Sequence, residues 1–176
     1  MKLGVIGGGA WGTALAQVAA AGGEETLLWA REPDVVAAVN QRHENPVFLA
    51  GVPLHPAIRA TGDMAALDEC DAWLMVTPAQ HMRSVLEAAA NCDKPLILCS
   101  KGIEEQSGEL LHKVAKQTCP RASVAVLSGP TFAHEVAKGL PTAVTLAADD
   151  AELAEQLRAR ISRPTFRIYV SDDVAG

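Results

Sequence analysis

The chain has 176 residues, of which 15 are Lys or Arg and 21 are Asp or Glu, so its formal net charge at neutral pH is −6. This acidic balance excludes a basic nucleic-acid-binding protein, which needs an excess of cations to neutralise phosphates. Apolar residues make up 49% of the chain and aromatic residues only 4%. We therefore expect a single domain whose core consists of Ala, Val, Leu and Ile rather than large rings.

Neither a membrane span nor an export signal is predicted. No uninterrupted apolar stretch approaches the ~18 residues that cross a bilayer, and Met1-Lys2 leads straight into Leu3–Ile6 and a run of glycines. No C-x-x-C pair suggests a zinc or redox site among the cysteines. The cysteines are Cys70, Cys92, Cys99 and Cys119. We expect four free thiols in a protein of the reducing cytoplasm.

Short apolar runs alternate with Ala-rich segments of helical spacing. We predict strands over residues 3–6, 26–30, 72–76, 96–99, 124–127, 143–147 and 166–170. We predict helices over residues 10–21, 34–41, 82–90, 109–117, 132–138 and 152–161. Strands that are apolar throughout are buried on both faces, as in a mostly parallel sheet covered by crossover helices. The predicted fold is a doubly wound α/β domain.

Residues 43–62 interrupt this alternation with several Pro and Gly residues. We interpret them as a long irregular connection. Connections of this length either carry function or are disordered, and the sequence favours neither.

A glycine-rich turn follows the first strand directly. Gly7, Gly9 and Gly12 give the pattern G-x-G-x-x-G between a strand and a helix, which is typical of a Rossmann-like dinucleotide site. Gly7 permits the tight turn, Gly9 lets the backbone approach a diphosphate, and Gly12 lets the helix pack closely. The free N–H groups of the helix start favour a phosphate anion. The alternative is a purely structural turn.

The end of the second predicted strand bears on the choice of cofactor. Chains that prefer NAD usually carry an acidic residue here for the ribose 2′-hydroxyl, whereas this chain has Ala30 followed by Arg31 and Glu32. The Arg31 guanidinium suits a 2′-phosphate, so we favour NADPH over NADH. Two alternatives stay open, namely an exposed Arg31 paired with Glu32 or Asp34, and Glu32 as the partner of the ribose.

Two further strands end in polar turns on the side where ligands bind in open α/β sheets. Lys101, in one turn, could hold an anionic substrate or polarise a carbonyl, or it could be a solvated lysine paired with Glu104 or Glu105. Gly129-Pro130, in the other turn, begins a helix. Trp11 either packs under the glycine turn or covers a bound cofactor.

The histidines show no metal-ligand spacing, and we predict no metal site. Most of them are expected at the surface. His81 follows the end of the third predicted strand, where it could reach a nicotinamide ring, and His134 lies just after the Gly129-Pro130 turn.

Together these motifs resemble the NAD(P)-dependent glycerol-3-phosphate dehydrogenases, particularly the bacterial type. The matching stretches are residues 7–16, 28–31, 100–104, 128–133 and 139–143. The lysine turn and the S-G-P-T-F-A turn are the most specific of them. The latter argues against other dehydrogenases with a similar first domain, such as ketopantoate reductases and 6-phosphogluconate dehydrogenases.

The resemblance implies reversible hydride transfer between NAD(P)H and dihydroxyacetone phosphate, giving sn-glycerol 3-phosphate for phospholipid synthesis. It implies cofactor contacts at Ala10, Trp11, Arg31, Phe48, Lys101 and Ala133. It implies substrate contacts at Lys101, Gly129 and Thr131. Thr131 replaces the Ser of many relatives, and either hydroxyl can donate to the substrate.

The chain differs from members of this family in length. Family members continue into a helical domain that supplies the lysine acting as proton donor and most of the pocket for the substrate phosphate. We therefore interpret residues 1–176 as the cofactor-binding domain, inactive without its second half. The alternative is a free-standing NAD(P)-binding sensor without catalysis. A homodimer is a further expectation, although an exposed apolar patch would also cause self-association.

Overall fold

One eight-stranded sheet forms the centre of the computed structural model, which describes residues 1–23, 25–89 and 92–175. Its strands are β1 (Leu3–Ile6), β2 (Thr26–Trp29), β3 (Ile58–Thr61), β4 (Ala72–Met75), β5 (Leu96–Leu98), β6 (Val124–Ser128), β7 (Thr142–Ala148) and β8 (Phe166–Ser171). Their spatial order is β3-β2-β1-β4-β5-β6-β7-β8. Neighbouring strands are parallel except β6 and β7, which are antiparallel.

Helices cover the sheet on both faces. They are α1 (Ala10–Ala20), α2 (Pro33–Arg42), α3 (Met82–Glu87), α4 (Leu111–Thr118), α5 (Ala133–Ala137) and α6 (Ala151–Ile161). One buried cluster joins the sheet to α1, α2, α5 and α6, and a second joins it to α3 and α4. Among the described residues, no helix combines the length and apolar character that a bilayer crossing requires.

The direction of the chain reverses beside β1. From β1 the chain proceeds outward through β2 to β3, and then returns to place β4 on the other side of β1. In open α/β sheets this reversal leaves a crevice at the carboxyl ends of the strands, where ligands bind. The predicted doubly wound, mostly parallel fold is confirmed, and all seven predicted strands are present within one or two residues of their predicted bounds.

The interpretation of residues 43–62 as irregular throughout is wrong at its end. Ile58–Thr61 forms the edge strand β3, parallel to β2. The strand has only four residues and alternates in burial, so it lacks the continuous buried run of β1, β4 and β5. Asn40 on α2 stabilises it by donating to the carbonyl of Ala60 (2.9 Å) and accepting from its N–H (2.8 Å). A side-chain contact of this kind does not affect the hydrophobic periodicity of the sequence, so the strand could not be predicted from it.

The expectation of four free thiols is wrong for two of them. Cys92 and Cys119 form a disulfide with a Cα–Cα distance of 5.4 Å, whereas Cys70 and Cys99 are free and buried. Cys92 follows α3 and Cys119 ends α4, and these two helices pack side by side on one face of the sheet. The pairing therefore results from the crossover topology, which the spacing of cysteines along the sequence does not reveal.

The predicted helix over residues 82–90 is shorter than expected. Helix α3 ends at Glu87, and residue 90 lies outside the described part of the chain. The other predicted helices agree with the observed ones to within one or two residues.

Candidate functional site

The glycine turn between β1 and α1 has a backbone that side chains would disrupt. Gly7 has φ = 131°, in the region that favours glycine, and its N–H donates to Trp29 O at 3.0 Å. A Cβ on Gly12 would lie 1.8 Å from Gly7 O, so only glycine allows α1 to start this close to β1. The roles predicted for Gly7 and Gly12 are thus supported by the backbone geometry.

Above this turn lies a cavity of about 530 Å³. Its lining residues are Gly7, Gly8, Gly9, Ala10, Trp11, Gly12, Trp29, Arg31, Glu32, Phe48, Val76, Thr77, Pro78, His81 and Val85. We call it the glycine-turn cavity. Seven of the residues predicted to contact the cofactor are therefore brought together from three separate segments of the chain.

The residues present fit a dinucleotide. Gly9 is the N-cap of α1 and offers no side chain to the helix start, so the first N–H groups of the helix stay free for an anion. A Cβ built on Gly9 would meet no atom within 4 Å. The space that this Cβ would take is open cavity, which is where a diphosphate must approach the backbone.

Arg31 lies at the rim of the glycine-turn cavity. Its side chain is 81% exposed, and Nη2 lies 3.3 Å from Glu32 Oε1. This is the pairing that the sequence left open as an alternative, but both residues also line the cavity. An exposed ion pair contributes only about 0–1 kcal/mol, so Arg31 can exchange Glu32 for a phosphate at small cost.

A smaller pocket of about 170 Å³ adjoins the same turn. It is lined by Trp11, Cys99, Lys101, Leu127, Ser128, Gly129 and Thr131. Trp11 lines both spaces and also packs against the hydrophobic core. Three residues predicted to contact substrate, namely Lys101, Gly129 and Thr131, thus meet beside the predicted cofactor site.

Lys101 is directed towards the second turn. Its Nζ donates to Gly129 O at 3.0 Å, so the alternative pairing with Glu104 is wrong. Glu104 instead accepts two bonds of 2.8 Å from Arg83 and one from Ser107. Arg83, followed by Ser107, lowers the pKa of Glu104 to about 2, which keeps this carboxylate ionised and anchors the end of the lysine turn.

Lys101 and Gly129 also border a wider groove of about 460 Å³ along β6, β7 and the end of the described chain. Other residues along it include Thr145, Ser171 and Asp173. On β7 and β8 burial alternates, with Val144 and Ile168 buried and Thr145 and Tyr169 exposed. One face of this end of the sheet is therefore open.

The remaining predicted site residues have different positions. His81 lines the glycine-turn cavity. Nε2 of His134 instead lies 3.1 Å from Ala50 O, in a contact between α5 and the connection after α2. Ala133 begins α5 and packs on the core, and the structure does not place it on the lining of either cavity. In the described ranges no group of three His, Cys, Asp or Glu side chains could hold a metal.

Several residues that support or line the site were not predicted from the sequence. Asn45 is fully buried and hydrogen-bonds both Gly8 and Thr13, 32 or more positions away. Thr77 and Pro78 follow β4 at the cavity wall. The position of Thr77 and Pro78 directly after a buried strand was the one sequence feature that could have placed them at the site. No sequence feature indicated the contacts of Asn45.

Most of the chain matches a known protein family. Residues 2–154 match the family model described as NAD-dependent glycerol-3-phosphate dehydrogenase N-terminus. A glycerol-3-phosphate dehydrogenase [NAD(P)+] from Parvibaculum lavamentivorans is 57% identical over 178 residues, covering 99% of this chain and 54% of the relative. Its counterpart from Erythrobacter litoralis is 54% identical, with 99% and 53% covered.

A solved structure gives the same result. The crystal structure of glycerol-3-phosphate dehydrogenase from Coxiella burnetii has a TM-score of 0.90 and 32% identity to this chain. The match covers 98% of this chain and 54% of the Coxiella chain. The chain thus spans about half the length of the relatives that it matches.

Proposed function

Because the chain belongs to the NAD-dependent glycerol-3-phosphate dehydrogenase family, through its N-terminal domain, we propose that it binds NAD(P)H in the glycine-turn cavity. The observation that carries this proposal is the open space at Gly9 beside the free N–H groups of α1. Gly7, Gly9, Ala10, Trp11, Gly12, Arg31 and Phe48 would hold the cofactor. Arg31 at the rim favours NADPH, since its guanidinium suits a 2′-phosphate.

The reaction that we propose for the whole protein is reduction of dihydroxyacetone phosphate to sn-glycerol 3-phosphate, and its reverse. A nicotinamide bound in the glycine-turn cavity would supply or accept the hydride. The position of Lys101 supports a small phosphorylated substrate. Its cation lies beside the Gly129 carbonyl in the pocket that Thr131 lines, and Trp11 lines both this pocket and the cofactor cavity. There Lys101 can attract the anion and polarise its ketone oxygen, and the Thr131 hydroxyl can donate to it.

Proton delivery is assigned to a second domain. The developing alkoxide needs an acid. Apart from Lys101, the one ionisable residue that the structure describes on the lining of the small pocket is Cys99, and burial raises the pKa of its thiol, so it is a poor proton donor. The relatives are nearly twice as long as the matched region. The open face of β7 and β8, next to the groove at Lys101, supports a helical substrate domain packed there. Residues 1–176 would then bind cofactor but turn over substrate negligibly. Assembly into a homodimer and a cytoplasmic location remain predictions.

Two glycine variants test the cofactor proposal. Saturating NADPH, at 100 times its Kd, should stabilise the chain by about 2.7 kcal/mol and raise its Tm by roughly 5–10 °C. Gly9→Ala should leave the Tm of the free protein within a few degrees, because its Cβ meets no protein atom, yet raise the Kd at least tenfold. Gly12→Ala should lower the Tm of the free protein, because its Cβ would clash with Gly7 O.

Titration calorimetry and thermal melts measure both quantities. A wild-type chain whose Tm responds to neither NADPH nor NADH would contradict the proposal. So would a Gly9→Ala variant that binds NADPH as tightly as the wild type.

A further inference from the structure

A single buried amide connects the floor of the glycine-turn cavity to its wall. Asn45 is fully buried. Its Nδ2 donates to Gly8 O at 2.9 Å and to Thr13 Oγ1 at 2.8 Å, while its Oδ1 accepts from Phe48 N at 3.1 Å. Both N–H groups and the carbonyl of this amide are therefore used, which fixes its orientation.

The bond to Gly8 determines the direction of the neighbouring N–H. The Gly8 carbonyl and the Gly9 N–H belong to one peptide group, and in a trans peptide they point in opposite directions. The described peptide bonds are all trans. Because Asn45 holds the Gly8 carbonyl towards the protein interior, the Gly9 N–H is turned away from Asn45, and Gly9 itself lines the cavity.

The bond to Phe48 determines the position of the ring across the cavity. Asn45 accepts from Phe48 N through its side chain and from Leu49 N through its main-chain carbonyl, the latter at 3.0 Å. Leu49 is fully buried, whereas Phe48 is 40% exposed and lines the cavity. This short turn presents the Phe48 ring to the cavity from a fixed backbone.

We propose that Asn45 is a positioning residue for the cofactor, which aligns the Gly9 N–H for the diphosphate and sets Phe48 at the cavity wall. This proposal rests on the proposed function of the glycine-turn cavity. It predicts that the affinity for any ligand with the diphosphate depends on Asn45 more strongly than the stability of the fold does.

The chain offers a matched control in Asn40. Like Asn45, Asn40 donates to one main-chain carbonyl and accepts from one main-chain N–H, but both belong to Ala60 in β3, and Asn40 does not line the cavity. Asn45→Asp and Asn40→Asp each keep the bond accepted from a main-chain N–H and lose the bond donated to a main-chain carbonyl, and Asn45→Asp also loses the bond donated to Thr13 Oγ1. We expect Asn45→Asp to raise the Kd of NADPH at least fivefold relative to Asn40→Asp, measured by titration calorimetry with folding checked by circular dichroism.

ADP-ribose, which has the diphosphate but no nicotinamide, should lose affinity by the same factor. A smaller difference between the two variants, or a loss confined to ligands with nicotinamide, would overturn the proposal.

If Asn45→Asp does not fold, the variant Thr13→Val tests the proposal instead, because it removes one hydrogen-bond acceptor of the Asn45 amide at nearly constant volume. A Kd raised at least threefold supports the proposal, and a smaller rise overturns it. A wild-type chain that binds no dinucleotide refutes the proposed function instead.

Discussion

Arg31 is the residue that we expect to decide between the two nicotinamide cofactors. Its side chain is largely exposed, and its ion-pair partner among the residues that the structure describes is Glu32, so it is free to turn towards a phosphate at the cavity rim. Replacing Arg31 by Glu should raise the Kd of NADPH roughly tenfold or more, which corresponds to about 1.4 kcal/mol of binding free energy, because a carboxylate repels the 2′-phosphate. NADH carries a hydroxyl there, and its Kd should change less than threefold.

Arg42→Glu is the control for this change of charge. Arg42 is also exposed and paired with a neighbouring glutamate, Glu44, but it lies outside the lining of the glycine-turn cavity. The same loss of two charge units at Arg42 should alter both Kd values equally and slightly. Equal losses of NADPH and NADH affinity in Arg31→Glu would remove Arg31 from the cofactor site.

Single residues differ in how far their roles could be predicted. Gly7, Gly9 and Gly12 act on their own backbone and its close neighbours, so a strand, a glycine pattern and a helix were sufficient to predict the turn. Asn45 acts on Gly8, 37 positions away, and lies in a segment that we interpreted as irregular. A buried polar side chain becomes visible only once the fold brings its partners together.

Among the elements, the connection from β5 to α4 depends on one ion pair. Arg83 on α3 bonds Glu104 through two hydrogen bonds of 2.8 Å, and Glu104 is only 5% exposed. Arg83→Gln should lower the Tm at neutral pH by several degrees, since it leaves a buried carboxylate without its cation. It should also weaken the binding of any ligand that contacts Lys101, because Glu104 anchors the turn that carries this lysine.

The effect of Arg83→Gln should depend on pH. The pKa of Glu104 is lowered from 4.5 to about 2, mainly by Arg83, so the pair stabilises the fold fully above about pH 4.5. This stabilisation is lost as the pH falls towards 2. The Tm difference between wild type and variant should shrink over that window. Arg121→Gln, which removes an exposed pair at 3.9 Å, should change the Tm little at any pH, and equal effects of both variants would contradict our interpretation.

The elements themselves were largely predictable because the central strands β1, β4 and β5 are buried apolar runs and the helices are regular. Strand β3 was missed because it is an edge strand stabilised by Asn40 from α2. The Cys92–Cys119 pairing was missed because it depends on α3 and α4 lying side by side. Both misses share a cause, since in each case the stabilising contact crosses between elements.

At the scale of the whole molecule, our proposal divides the reaction between two domains. The described part of the chain provides a cofactor cavity and one side of a substrate pocket, with Lys101 as the cation. General acid catalysis typically contributes about 10²–10⁴-fold, and a half-formed pocket also loses its hold on the substrate phosphate. The 176-residue chain should therefore bind NADPH but oxidise it with dihydroxyacetone phosphate at least about a hundredfold more slowly than a complete enzyme.

A chimera provides the matching complete enzyme. Residues 1–176 can be joined to the C-terminal half of the Parvibaculum lavamentivorans relative, which is 57% identical over the shared half. Absorbance of NADPH should then fall with dihydroxyacetone phosphate in the chimera and not in the isolated chain, at equal occupancy of the cofactor site. Comparable rates in both would contradict the division, because the acid would then lie within these residues. A chimera that binds cofactor tightly but stays inactive would favour the sensor without catalysis.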